Sequence, residues 1–185
     1  MWQVFNGLMC AGKIIHEVLL DADNVRKENV IDKYVQECQM ILCHPNITPF
    51  LGMCILPNYQ LPALVMERLE GSPDDLLETV SDLPLVLKRS ILEDVARGLL
   101  YLHNHYPQII HRDLTAKNTL LTMSSSFVAK NTDLGIACIV DLQPSQLAPP
   151  EALTAVSCYD HNFDVFLFGR LIAQVINPYP HTNCI

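Results

Sequence analysis

An α+β fold is predicted for this chain of 185 residues, and three observations predict it. Roughly the first seventy residues hold short apolar runs bounded by turn residues, as buried strands do. The remainder holds two long stretches with apolar residues at helical spacing. A polar, turn-rich connector, "EGSPDD" at 70–75, lies between the two halves. Strands gathered on one side of a connector and helices on the other make an α+β order rather than an alternating α/β one.

In chain order, "GLMCAGKII" (7–15) is short, apolar and turn-bounded, and is predicted as a strand. "VRKENVIDKYVQECQMIL" (25–42) spaces Val30, Tyr34, Cys38 and Ile41 along one helical face, and Pro45 stops it. "ITPFLGMCIL" (47–56) and "LPALVMERL" (61–69) are further strands. After the connector, the acidic run Asp74, Asp75 and Glu78 suits a solvated helix start, where carboxylates face the positive end of the helix dipole. "LPLVLKRSILEDVARGLLYLHNH" (83–105) aligns Leu87, Ile91, Val95, Leu99 and Leu102, with Pro84 near its start, and predicts the longest helix. "FVAKNTDLG" (127–135) is strand-like and ends on Gly135. "FDVFLFGRLIAQVI" (163–176) is apolar nearly all round and predicts a buried helix.

Half the chain is hydrophobic, which supports a sizeable core. A net charge of −8 argues against nucleic acid or an anionic membrane as the main partner, though a nucleotide needs only a local cation or two and a metal. Seven cysteines form no C-x-x-C pair, so they read as reduced thiols and the expected location is the cytoplasm. No apolar run is long enough for a membrane span. The N-terminus lacks the features of a signal peptide, and Cys184 is misplaced for a C-terminal lipidation box. Asn46 sits in a glycosylation sequon, "NIT".

The chemistry concentrates in "IIHRDLTAKNTLL" (109–121) and just beyond it. Asp113 and Asn118 lie in a loop between a helix and a strand pair, and Asp133 follows a second short strand. A loop–strand–turn–strand path can bring all three to one cleft edge. Two carboxylates and an amide oxygen there suit Mg²⁺ that keeps water and phosphate as its other ligands. One carboxylate could instead take a proton from an attacking hydroxyl. His103, His105 and His111 read as packed residues rather than metal ligands, and Cys38 and Cys43 as ordinary thiols.

Six motifs in order carry a resemblance. "HRDLTAKN" (111–118) resembles the protein kinase catalytic loop, and "DLG" (133–135) stands where kinases have D-F-G. "PPE" (149–151) looks like A-P-E, and "DVFLFG" (164–169) like the motif of the buried C-lobe helix. "CHPNI" (43–47) and "LVMERL" (64–69) are similar to the approach to the fourth strand and to the strand entering the hinge. The resemblance runs from about residue 4 to the end. It implies a bilobal protein kinase-like fold, with a small β-rich N-lobe at 1–66, a hinge at 67–73 and a truncated helical C-lobe at 74–185. It implies transfer of the γ-phosphoryl group of ATP, with Mg²⁺, to a protein hydroxyl.

Carried over residue by residue, the resemblance makes Asp113 the base and Asn118 and Asp133 the metal ligands. Arg112 steadies the activation segment, Glu151 locks it to the C-lobe, and Asp164 braces the catalytic loop from below. Met66 is the gatekeeper, Glu67 to Leu69 form the hinge facing adenine, and Leu120 packs beneath it. The strand lysine has two alignments. "IIHE" would put Glu17 in its place; "CAGK" supplies Lys13 and, in Ala11, the small residue over adenine, and is preferred. The ion-pair partner of Lys13 is then Glu37.

Three departures accompany the resemblance. No G-x-G-x-x-G precedes Lys13, Glu37 stands closer to His44 than is usual, and only 17 residues separate Asp133 from Glu151, with Ser145 the one hydroxyl in "IACIVDLQPSQLAP". The sequence stops at Ile185, before the last helices of a kinase C-lobe. These departures support a second expectation, a catalytically silent kinase-fold module that binds a partner protein, or an incomplete gene product. Thr115 and Lys117 leave serine/threonine against tyrosine specificity open.

Overall fold

The structure is a computed structural model that describes residues 2–5, 8–14, 42–55, 63–80, 83–122, 127–134, 137–140 and 161–177. Four strands, Trp2–Phe5 (β1), Leu8–Lys13 (β2), Phe50–Cys54 (β3) and Ala63–Glu67 (β4), form one antiparallel sheet in the order β1-β2-β4-β3. The register sets Ala11 opposite Met66 and Lys13 opposite Leu64. Side chains opposite one another share a face of the sheet, so Ala11, Lys13 and Met66 lie on one side of it. The hairpin of β1 and β2 adds a strand that the apolar pattern of the first residues did not mark.

Beyond the sheet come helix Pro73–Thr79 (α1), helix Leu85–His103 (α2), strands Gln108–Ile110 (β5), Thr119–Thr122 (β6), Val128–Asn131 (β7) and Cys138–Val140 (β8), and helix His161–Ile176 (α3). β6 and β7 form one two-stranded antiparallel ribbon, and β5 and β8 another. The connector at 70–75 contains the start of α1: Ser72 is its N-cap, Pro73 opens it, and Ser72 and Asp75 form a reciprocal capping box.

α2 is the central post. Of the stripe read from the sequence, Ile91, Val95, Leu99 and Leu102 are buried and Leu87 is half-buried. Ile91, Val95 and Leu99 pack in one cluster with Leu114, Ala116, Leu121, Ala129, Leu171 and Val175, joining α2 to the loop before β6, the β6–β7 ribbon and α3. Leu102 belongs to a second cluster with Leu42, Ile47, Ile109, Leu134 and Ala137. Gly98 is where α2 comes closest to its neighbours: a Cβ there would lie 2.4 Å from Asn131 Nδ2 and 2.6 Å from the Asn46 carbonyl oxygen. Lys88 is buried and donates to the carbonyl of Ile176, meeting the C-terminal end of α3 where backbone acceptors lack helical partners.

One sequence expectation changes. α3 is not buried all round; Asp164, Leu171 and Val175 face inward, while Val165 and Phe166 are 55% and 64% exposed. Its apolar composition therefore concealed an outward face. Asn46 is buried and its Nδ2 donates to the Ala129 carbonyl at 3.0 Å, so the sequon lies inside the packing and offers no acceptor for a glycan. The helix expected over 25–42 lies outside the described residues, and Glu37 with it, as does "PPE" with Glu151.

Candidate active site

Lys13 closes β2 and Asp133 follows β7, 120 residues further along the chain. Lys13 Nζ lies 2.8 Å from Asp133 Oδ1, with both side chains partly exposed. Asp133 has φ 62°, in the left-handed region that aspartate tolerates better than most residues. That turn of the backbone reverses the chain after β7 and carries the carboxylate to the lysine.

The loop between β5 and β6 holds the second pair. Asn118 Nδ2 donates to both Asp113 Oδ2, at 2.8 Å, and the Asp113 carbonyl, at 2.9 Å. The asparagine amide therefore spends its nitrogen on Asp113 and leaves its oxygen to face elsewhere. Thr115 shapes the turn: its Oγ1 accepts from the Asn118 N–H and its carbonyl accepts from Thr119 Oγ1. The Thr132 N–H donates to the Asn118 carbonyl at 3.0 Å, which ties this loop to the residue before Asp133. Both Asn118 and Asp133 are thus fixed in one frame by backbone bonds. Thr132 went unnoticed in the sequence, and Thr115 was read only for specificity, because single threonines give no periodic signal.

Beneath the loop stands Asp164, fully buried in the first turn of α3. Its Oδ1 accepts the Arg112 N–H at 2.8 Å; its Oδ2 accepts the His111 N–H and His103 Nε2, each at 2.8 Å. Burial works against the charged carboxylate, but the hydrogen bonds from His103, Arg112 and His111 outweigh it and hold its pKa below the usual value. Arg112 has φ 70°, a left-handed conformation in which its Cβ crowds the following carbonyl, and that clamp retains it. His111 is wholly buried, and burial pushes its pKa down. Its Nδ1 accepts the Asp113 N–H at 3.3 Å, so the neutral ring carries its proton on Nε2.

The residues expected around adenine lie at the end of β4, just beyond it, and on β6. Leu69 is buried, and Met66 and Glu67 at the end of β4 are half-buried. Leu120 stands opposite Lys130 in the ribbon. Lys130 Nζ reaches Glu67 Oε2 at 2.5 Å, a pairing not legible in the sequence because 63 residues separate the two. The far end of the same crossing is held by backbone: Glu70 N–H to the Leu121 carbonyl at 2.9 Å and Leu121 N–H to the Gly71 carbonyl at 2.8 Å. Lys13, Asp133, Asn118, Asp113, Met66, Glu67 and Leu120 thus all sit on segments around the junction of the N-terminal sheet with the β6–β7 ribbon.

An antiparallel N-terminal sheet joined to a helical body, with a strand lysine meeting a loop aspartate across the junction, defines a kinase-like α+β class. Comparison with known families matches residues 5–183 to the protein kinase domain. The chain belongs to the protein kinase domain family. It is 33% identical over 187 residues to a probable serine/threonine-protein kinase of Dictyostelium discoideum, covering 93% of this chain and 17% of that protein. It is 33% identical over 186 residues to a seven transmembrane domain-containing tyrosine-protein kinase of the same organism, covering 94% of this chain and 26% of that protein. It is 32% identical over 163 residues to human dual specificity testis-specific protein kinase 1, covering 79% of this chain and 25% of that protein. The chain therefore spans between about a sixth and a quarter of the length of these relatives. Among the described residues, no helix is long and apolar enough to cross a membrane.

Proposed function

We propose that this chain binds Mg·ATP between the N-terminal sheet and the β6–β7 ribbon, with 67–73 as the hinge between an N-lobe at 1–66 and a C-lobe at 74–185, and transfers the γ-phosphoryl group to a protein serine, threonine or tyrosine hydroxyl in the cytoplasm. The meeting of Lys13 with Asp133, beside the Asn118–Asp113 pair, carries the reading. The donor set fits Mg²⁺: a carboxylate of Asp133 and the amide oxygen that Asn118 leaves unspent are hard oxygens, few enough that the ion keeps waters and phosphate. Bound there, the ion supplies neutralisation of phosphate charge.

The chain's own groups divide the remaining work. Lys13 offers its ammonium to the phosphates while holding Asp133 in place. Asp113 has one carboxylate oxygen engaged by Asn118, which orients the other to accept the proton of the attacking hydroxyl. The hydroxyl oxygen bonds to the γ-phosphorus, the bond from that phosphorus to the β,γ-bridging oxygen breaks, and ADP leaves with the electron pair. Asp164 acts at one remove, fixing the backbone from which Asp113 projects. Leu120 would pack beneath adenine, the backbone of Glu67 to Leu69 would meet its edge, and Ala11 would form the small roof above it. Glu37 would pair with Lys13 and Arg112 would steady the segment after Asp133.

The 17 residues between Asp133 and Glu151 favour a second reading, a silent kinase-fold module that binds nucleotide or a partner protein without turnover. Two measurements separate the readings. Millimolar Mg·ATP should raise Tm in the chain and fail to do so in Asp133→Ala and Lys13→Met. Transfer of labelled phosphate from γ-labelled ATP to a mixed protein substrate, lost in Asp113→Asn, then marks the enzyme. A nucleotide shift without transfer marks the silent module; no shift in a folded chain removes both nucleotide readings.

A further inference from the structure

β7 pairs with β6 along one edge, and the backbone of its other edge is satisfied without a second neighbouring strand. The 46–48 segment supplies three of the partners. Asn46 Nδ2 donates to the Ala129 carbonyl at 3.0 Å, the Asn131 N–H donates to the Asn46 carbonyl at 2.9 Å, and the Thr48 N–H donates to the Asn131 carbonyl at 3.0 Å. The fourth partner comes from α2: Asp94 Oδ2 accepts the Ala129 N–H at 3.0 Å. The next residue of α2 makes a second tie, its Val95 carbonyl accepting from Asn131 Nδ2 at 3.1 Å. Two successive residues of the central helix therefore hold two alternate residues of β7, and with either tie gone the strand can pivot about the other. Thr132 and Asp133 follow directly, and the Thr132 N–H is bonded to the Asn118 carbonyl. A shift of β7 on α2 would move Asp133 and Asn118 together.

We propose that Asp94 is a positioning residue for the metal site: its hold on the Ala129 N–H sets where β7 lies on α2, and so where Asp133 and Asn118 present their oxygens to Mg²⁺. The proposal rests on the reading of those two residues as metal ligands. Asp94 is 8% exposed, and its Oδ1 accepts from Arg97 Nη1 at 2.9 Å, while the Arg97 side chain itself is 60% exposed. A buried carboxylate is a poor device for packing alone, because it must be desolvated where an apolar residue on the same face need not be. What it supplies instead is a directed acceptor. Of the four backbone contacts along that edge of β7, the one to Asp94 is the charged one, and such bonds are roughly twice as strong as neutral ones. It also anchors the strand to α2, whose core stripe joins it to the rest of the helical body. Groups that orient a metal ligand from behind govern metal affinity without touching the ion.

Thermal denaturation of the whole chain at fixed millimolar ATP, with Mg²⁺ raised from zero, tests this. The Mg²⁺-dependent part of the Tm rise gives a half-point for each protein. Asp94→Ala should raise that half-point about 10-fold, the scale seen when a partner behind a metal ligand is removed. Asp94→Asn keeps an amide oxygen for the Ala129 N–H and should return the half-point to near the wild-type value. Arg97→Ala leaves the Ala129 bond in place and should not move it. Lys88→Met lowers Tm by removing the contact at the end of α3, and should not move it either. An unchanged half-point in Asp94→Ala overturns the proposal. So does an equal rise in Lys88→Met, which would trace the effect to lost stability, or in Asp94→Asn, which would trace it to something other than the Ala129 bond. A wild-type chain that responds to ATP with no Mg²⁺-dependent part removes the reading of Asp133 and Asn118 as metal ligands, and the proposal with it. If Asp94→Ala does not fold, Asp94→Ser, whose hydroxyl is too short to reach Ala129, decides by the same criteria.

Discussion

Asp164 holds Arg112 through the backbone, its Oδ1 accepting the Arg112 N–H at 2.8 Å while Arg112 sits at φ 70°. A carboxylate in the first turn of α3 thereby keeps a loop residue in a conformation that it would otherwise leave. The same carboxylate takes the His111 N–H and His103 Nε2, so one buried group fixes two consecutive peptides and the end of α2. Asp113 is the next residue, and its direction depends on that hold.

Replacing Asp164 by alanine leaves both N–H groups and the His103 ring nitrogen without an acceptor. Hydrogen bonds to charged groups contribute about 1.5–3 kcal/mol each, and the losses overlap because they share one acceptor. The expected outcome is destabilisation of about 3–5 kcal/mol by urea denaturation. Amide exchange at His111 and Arg112 should accelerate beyond that of the β6–β7 ribbon. Exchange that rises equally everywhere would mean that Asp164 supports the fold as a whole and not the loop in particular.

Gly98→Ala tests how tightly α2 is fitted against the Asn46 loop and β7. Alanine is the better helix former by about 0.8–1 kcal/mol in a free helix. Here its Cβ would meet Asn131 Nδ2 at 2.4 Å and the Asn46 carbonyl at 2.6 Å, and the second of these is backbone and cannot turn aside. Overpacking of this kind costs about 1–3 kcal/mol, so the substitution should lower stability despite its propensity. A rise in Tm would show that the helix shifts freely against its neighbours.

Ser72→Ala removes the capping box of α1. Ser72 Oγ accepts the Asp75 N–H at 3.2 Å, and the Ser72 N–H donates to Asp75 Oδ2 at 2.8 Å. The variant should lose about 1 kcal/mol, within the 0.5–2 kcal/mol seen for N-cap replacements. The side-chain and backbone bonds from Ser72 hold the Asp75 pKa below its ordinary 3.8, so its carboxyl resonance should titrate closer to that value in the variant. An unchanged titration would place the cause elsewhere.

Much of the fold was legible because it rests on spacing. The stripe from Ile91 to Leu102 is a run of helical repeats, and the strands at 50–54 and 63–67 are apolar runs between turn residues; both signals are local. The loop residues Asp113 and Asn118 were legible through their motif, and the structure brings their side chains within 2.8 Å. The Lys130–Glu67 pair, the Thr132–Asn118 bond and the fit at Gly98 were not legible, since each joins segments far apart in sequence and depends on how they pack. Composition marks α3 as apolar nearly all round and says nothing of which face it turns to its neighbours, which only the packing decides.

Acid should destabilise the fold in two separate windows. His111 is buried neutral with its pKa pushed below 6.5, and desolvation lowers that of His44 as well. In the unfolded chain both imidazoles take up protons as pH falls through about 6.5, while in the native protein they resist. The unfolded state then binds more protons, so stability falls as pH falls below that value. Asp164 acts lower down: its native pKa lies below 3.8, so its contribution is present above 3.8 and is lost as pH drops through the lowered value. His111 contributes at most about 1.4 kcal/mol per pH unit in the first window, and the more exposed His44 less, because solvent screens it. Urea denaturation from pH 7.5 to 5 should therefore show a falling stability whose slope is reduced in His111→Phe, whatever constant offset the variant carries from losing its bond to the Asp113 N–H. Identical slopes in the two proteins would mean that His111 takes up its proton in the folded state as readily as in the unfolded one, and the reading of it as a neutral, buried support of the catalytic loop would fail.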